Sequence, residues 1–147
     1  MSRKSARIAG LIEAFRGRDL DAHYLGYFEC FNREHYYQAH DVLEELWLAK
    51  RQGPDGAFYK GLIQLAGAFV HLQRQRLSPA VAVFKLAKAN LQNYPAVHQR
   101  LRVAEVVAMV ENWLQRLEGE ESTRKPFGSG RGPRLCLVEE ASFLQAK

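Results

Sequence analysis

Asn32-Arg33-Glu34-His35-Tyr36-Tyr37-Gln38-Ala39-His40-Asp41-Val42-Leu43-Glu44-Glu45-Leu46-Trp47 is the stretch whose reading decides the fold. At about 100° per residue, Tyr36, His40, Leu43 and Trp47 fall within roughly 60° of one another on a helix. The apolar members predict that this stripe faces a core, which carries His40 inward. Glu44 follows one turn later on the edge of the same face, and Asp41 and Glu45 turn progressively outward. A histidine on an apolar stripe, with a carboxylate at i+4, is the most chemically loaded feature of the chain.

Working outward, this helix is expected over about 34–51, stopped by the turn Gly53-Pro54-Asp55-Gly56. The next, about 57–76, is apolar almost all round and belongs at the centre of a bundle. Its polar residues Gln64 and His71 lie two turns apart on nearly one line. Gly67 and Ala68 beside them would let a neighbouring helix come close. A connection of about five residues makes these two helices antiparallel neighbours. Before them, about 5–16 and 20–31 read as helices. The first carries Ile8, Leu11, Ile12 and Phe15. The second is capped by Asp19 and faced by Tyr24, Tyr27, Phe28 and Phe31. After them, Ser78-Pro79 predicts the start of a helix running to about Asn93, broken by Tyr94-Pro95. A last one spans about 97–118 and ends at Gly119. The expected fold is therefore all-α, a bundle of five to six helices around a central antiparallel pair.

Residues 1–119 are read as one bundle domain, and 120–147 as a Gly/Pro-rich basic loop and C-terminal tail. Within the latter, Leu135-Cys136-Leu137-Val138 is expected as a short extended segment laid on the bundle. Gly128-Ser129-Gly130-Arg131-Gly132 lacks the preceding strand and the closing Lys-Ser/Thr of a phosphate loop.

At 147 residues, 47% hydrophobic and 25% charged, the chain has an ordinary globular composition. No apolar run approaches the roughly 18 residues of a membrane span, so no membrane association is expected. Ile8–Phe15 is too short and polar for a signal-peptide core, and a cytoplasmic location follows by default. Cys30 and Cys136 are far apart with no metal-type spacing, and Cys30 reads as a buried thiol. The net charge of +5 conceals a segregation. Residues 19–49 hold seven acids (Asp19, Asp21, Glu29, Glu34, Asp41, Glu44, Glu45) against Arg33, whereas residues 50–102 hold nine bases against Asp55. Complementary charge between consecutive antiparallel helices explains this most simply. A basic face for nucleic acid is the sharper alternative, weakened because the arginines are not interleaved with exposed aromatics.

Phe31-Asn32, Tyr36, Ala39-His40-Asp41, Leu43-Glu44 and Trp47 resemble the signature of the DUF309 family, small all-helical proteins of unassigned function. That signature reads roughly Phe-Asn, then Tyr-x-x-Ala-His-Glu-x-Leu-Glu-x-x-Trp. Gly61-Leu62-Ile63-Gln64-Leu65-Ala66-x-Ala68-x-x-His71 resembles a second block, and Tyr94-Pro95 is a weaker third echo. The resemblance covers about 27–117. Asp41 stands where glutamate is usual, and Arg74-Gln75-Arg76-Leu77 replaces a small Gly-Asn turn. The resemblance implies a multihelical bundle and no activity.

Three chemistries fit His40, Asp41, Glu44, Gln64 and His71. The favoured one is a structural network in which buried His40, Glu44, Gln64 and His71 bond one another and fix helix register. The domain would then work through its surface, with a protein partner or in a homo-oligomer. A second is a divalent-metal site on His40, Glu44 and His71, with bound water as a nucleophile for hydrolysis. A third is a pocket lined by Asn32, Tyr36, Trp47, Lys60 and Gln64. There His40 would be a general base, oriented by Glu44 or Asp41. No activated nucleophile is evident. RNA binding through the basic face of 50–102 is a further alternative. His23, His35 and His98 read as exposed or helix-end residues, and Trp113 as core.

Overall fold

A computed structural model describes residues 2–119, 130 and 132–139. Among the described residues six α-helices pack against one another: α1 (Arg3–Ile12), α2 (Ala22–Asn32), α3 (Tyr36–Lys50), α4 (Gly56–Gln73), α5 (Leu77–Leu91) and α6 (Val103–Glu118). Glu13–Phe15 add a 3-10 turn after α1. The described residues form no strand, only isolated bridges between His98 and Leu101 and between Leu101 and Leu137. The expected all-α bundle is what forms.

The central pair is α3 and α4. Tyr37, early in α3, meets Arg74 just past α4, while Trp47 near the end of α3 meets Lys60 early in α4. They therefore run antiparallel. α4 contributes Phe58, Leu62, Leu65, Ala66, Phe69 and Leu72 to the core, as a helix apolar on most sides must. α5 closes on α4 at Gly61, where a Cβ would stand 2.8 Å from Leu91 Cγ. The close approach thus falls at Gly61. At Gly67 a Cβ would meet only Val83 at 3.8 Å and His40 at 4.0 Å.

Helix boundaries depart from expectation for identifiable reasons. Asp21, not Asp19, caps α2, its carboxylate accepting from the His23 amide at 2.8 Å. α5 starts at Leu77, one residue before Ser78, which leaves Pro79 inside the first turn, where its missing N–H costs nothing. α6 begins only at Val103. His98 and Leu101 exchange both backbone hydrogen bonds at 2.9 Å around Gln99 and Arg100, whose φ values are 45° and 60°. That tight turn consumes the residues expected to open the helix.

The inward stripe of α3 is Tyr36, Ala39, Leu43 and Leu46, with Asp41 and Val42 covered by α1. Asp41, expected outside, is only 5% exposed. His40, expected inside, has a 34% exposed side chain. The physical cause is α1. It lays Arg7 within 2.9 Å of one Asp41 oxygen and Lys4 within 3.7 Å of the other. Between the acidic segment 19–49 and the basic segment 50–102, Arg100 pairs with Asp19 at 2.8 Å, and no ion pair among the described residues joins α3 to α4. The described ion pairs of α3 reach Lys4 and Arg7 of α1 and His23 of α2.

Candidate functional site

Because the core takes the 36, 39, 43, 46 stripe, the adjoining stripe of α3 turns outward with Tyr37, His40, Glu44 and Trp47. The matching stripe of α4 carries Lys60, Gln64, Gly67, His71 and Arg74, all partly or fully exposed. Along this seam Lys60 Nζ sits 4.3 Å above the Trp47 ring and the Arg51 guanidinium 5.9 Å from it. The Arg74 guanidinium lies 5.9 Å from the Tyr37 ring, and the Tyr37 and His40 rings stack at 6.4 Å. Tyr37 and Leu48 are 56% and 55% exposed, large apolar groups left to solvent on one helix.

The expected polar residues thus share a face, yet they do not bond one another. His40 Nδ1 lies 3.3 Å from Asp41 Oδ1. Glu44 accepts from Lys4 Nζ at 3.2 Å, and this bond raises the Lys4 pKa. Gln64 Oε1 accepts from Asn90 Nδ2 of α5 at 2.7 Å. His71 Nδ1 is shielded from solvent and meets no hydrogen-bond partner among the described residues. Burial lowers the His71 pKa, and Arg76 and Arg74 push it the same way. The buried four-residue network is therefore replaced by separate contacts to α1 and α5. Among the described residues no group of three or more His, Cys, Asp or Glu is placed to hold a metal ion.

Asn32 and Tyr36 belong elsewhere. Asn32 grips the backbone of Leu135: its Nδ2 donates to the Leu135 carbonyl at 2.8 Å and its Oδ1 accepts from the Leu135 amide at 2.7 Å. A Cβ at Gly132 would collide with the Tyr36 hydroxyl, so only glycine passes there. Leu135-Cys136-Leu137-Val138 is laid on the bundle as expected: Leu137 bridges to Leu101 and the Val138 amide donates to Arg100 at 2.7 Å.

A polar network does exist, centred on Asp55. His98 Nε2 is 2.8 Å from Asp55 Oδ1, and Gln99 Nε2 donates to Asp55 Oδ2 at 2.7 Å and to Tyr59 Oη at 2.8 Å. Tyr24 donates to the Gln99 carbonyl at 3.0 Å. Burial raises the pKa of both Tyr24 and Tyr59. The signal for it was present in Asp55 of the turn, but it joins segments that periodicity treats separately. His23 likewise ties Asp21 at 3.1 Å to Glu45 at 3.0 Å, and His98 is no bystander. Cys30 is buried and burial raises its pKa, away from thiolate reactivity.

Fold and site together define a multihelical bundle with an aromatic–cationic seam on its central helix pair. Residues 24–83, from α2 into α5, match the family profile described as Domain of unknown function (DUF309). Both motif blocks lie inside the match, while Tyr94-Pro95 lies beyond it. Comparison with curated proteins and with solved structures returns no match. Among the described residues no helix is long and apolar enough to cross a membrane.

Proposed function

We propose that the domain is a protein-binding module whose working face is the α3/α4 seam and whose partner presents an acidic amphipathic segment. The observation that carries this reading is the arrangement of cations on exposed aromatics. Arg51, Lys60 and Arg74 rest on Trp47 and Tyr37, whereas Lys85 and Lys88 of α5 and Arg100 beyond it pair with the carboxylates of Glu118, Glu111 and Asp19. Tyr, Trp and Arg are the side chains that anchor protein interfaces, because they bury large area with little entropy loss. Cations already ordered on those rings can meet incoming carboxylates without new immobilisation. His40, Glu44 and His71 flank this face as polar rim rather than as catalysts.

Titration of Trp47 fluorescence with an acidic amphipathic helical peptide tests the reading. Saturable quenching is expected, weakened about tenfold or more by Tyr37→Ala and by Lys60→Glu, as truncating an interface anchor does. Binding that ignores both substitutions overturns it. Single-stranded RNA competing through the same residues, with a steep salt slope, would transfer the face to a nucleic-acid ligand.

A further inference from the structure

Residues 132–139 are laid across the bundle with one isolated bridge and no regular strand, and the way they are held has the form of peptide recognition. Asn32 satisfies both backbone groups of Leu135, at 2.7 and 2.8 Å, as a neighbouring strand would. The Leu135 side chain is seated in the main core at 6% exposure. Leu137 pairs with Leu101, and Val138 donates to the Arg100 carbonyl. Arg134 and Cys136 point to solvent between the anchored positions, the period-two pattern of a bound strand.

The edge that receives the segment is built without it. Gln99 and Arg100 hold left-handed φ values of 45° and 60°, a costly backbone for such residues. Asp55 and Tyr59 fix the Gln99 side chain, Tyr24 holds its carbonyl, and Asp19 takes Arg100 Nη1 at 2.8 Å. None of these contacts involves residues 132–139. A receptor edge held rigid in this way binds an incoming strand without having to order itself first. The segment also leaves room. A hollow of about 100 Å³ remains beside Pro133 and Cys136 against Leu101, Val106 and Met109.

We propose that this groove is a binding site for an extended segment of a partner protein carrying a Leu-x-Leu pattern with a bulky apolar residue between or before the leucines. Residues 132–139 occupy it in cis as a built-in competitor. The polar contacts go to backbone atoms, so they accept other sequences; the Leu135 seat and the Leu137 bridge set the pattern. The unfilled hollow favours a foreign segment bulkier than the chain's own. This site is distinct from the α3/α4 seam and does not depend on it.

The test uses the full chain and two fluorescent peptides: Gly-Pro-Arg-Leu-Ser-Leu-Val-Glu, and the same peptide with phenylalanine in place of serine. Leu135→Asp vacates the groove. Both peptides should then bind at least tenfold tighter than to the wild-type chain, whose own segment competes at the high effective concentration of a tethered ligand. The phenylalanine peptide should be the tighter, and adding Asn32→Ala should remove binding of both. If Leu135→Asp loses its helical circular dichroism, Leu135→Ala combined with Val138→Pro serves instead, emptying the seat without burying a charge and deleting the N–H bonded to Arg100. A folded, vacated variant that binds neither peptide more tightly than wild type, or binds regardless of Asn32, overturns the proposal. So would wild-type dimerisation abolished by Asn32→Ala, which would assign the groove to a second copy.

Discussion

His71 shows what a single side chain on the seam contributes. Its Nδ1 is shut off from water and has no partner among the described residues, and burial, helped by Arg76 and Arg74, disfavours its charged form. In the unfolded chain the imidazole titrates near 6.5. As pH falls through that value, the unfolded state takes up a proton that the folded state resists. Stability contributed by neutral His71 is therefore complete above about pH 6.5 and declines below it. Urea midpoints at pH 5.5 and 7.5 should differ more for wild type than for His71→Gln; equal differences would show that the histidine is not held neutral by the fold. Periodicity named His40 and His71 but faced them inward. The stripes 36, 40, 43, 47 and 36, 39, 43, 46 differ by less than the width of an apolar face. What separates them is the position of Asp41, buried because Arg7, 34 positions upstream, covers it. No pattern within α3 contains that information.

At the scale of elements, α4 and its neighbours turn on two glycines with opposite duties. Gly61 faces α5 so closely that a Cβ would meet Leu91 at 2.8 Å and Asn90 Cβ at 3.2 Å. Leu91 is fully buried and has nowhere to go. Gly61→Ala should therefore destabilise by about 1–3 kcal/mol, the usual cost of overpacking. Gly67 has ordinary van der Waals space around a Cβ, so Gly67→Ala should gain roughly 0.5–1 kcal/mol from reduced chain entropy. At about 3 °C per kcal/mol for a domain of this size, paired thermal melts should move in opposite directions. A loss at both positions would mean that α5 packs closely along the whole of α4. Helix existence was readable because α2 to α6 carry sustained apolar periodicity. The late start of α6 was not, because the turn at Gln99 and Arg100 is fixed by contacts to Asp55 and Tyr24 across the fold; Asp19 and Asp21 both suit a cap, and only the local bond from the His23 amide to Asp21 decides between them.

Across the whole molecule the apolar residues divide unequally. One large cluster joins α2 through α6 with Leu135, while Ile8, Ile12 and Val42 form a small separate one beneath α1. The remaining attachments of α1 are ion pairs: Arg7 to buried Asp41, and Lys4 to Asp41 and Glu44, with both basic side chains about half exposed. Burying two isoleucines stabilises by about 1.5–3 kcal/mol each, and half-exposed ion pairs add little and are screened by salt. α1 should therefore open independently of the core, as a locally weak unit of an otherwise cooperative bundle. In native-state hydrogen exchange its amides should exchange well before those of α4. Removing the Asp41 carboxylate by Asp41→Ala leaves Arg7 and Lys4 without their shared partner and should speed α1 exchange about threefold, equivalent to roughly 0.7 kcal/mol, the scale of a half-exposed pair. Exchange in α4 should stay within about twofold, because its contacts are untouched. Raising the salt to 0.5 M should accelerate α1 in wild type and do less in the variant, since the screened attraction is already absent there. If α1 instead exchanges in step with α4 under all these conditions, its docking is part of the global fold and the apolar contact of Ile8 and Ile12, not the charge on Asp41, holds it.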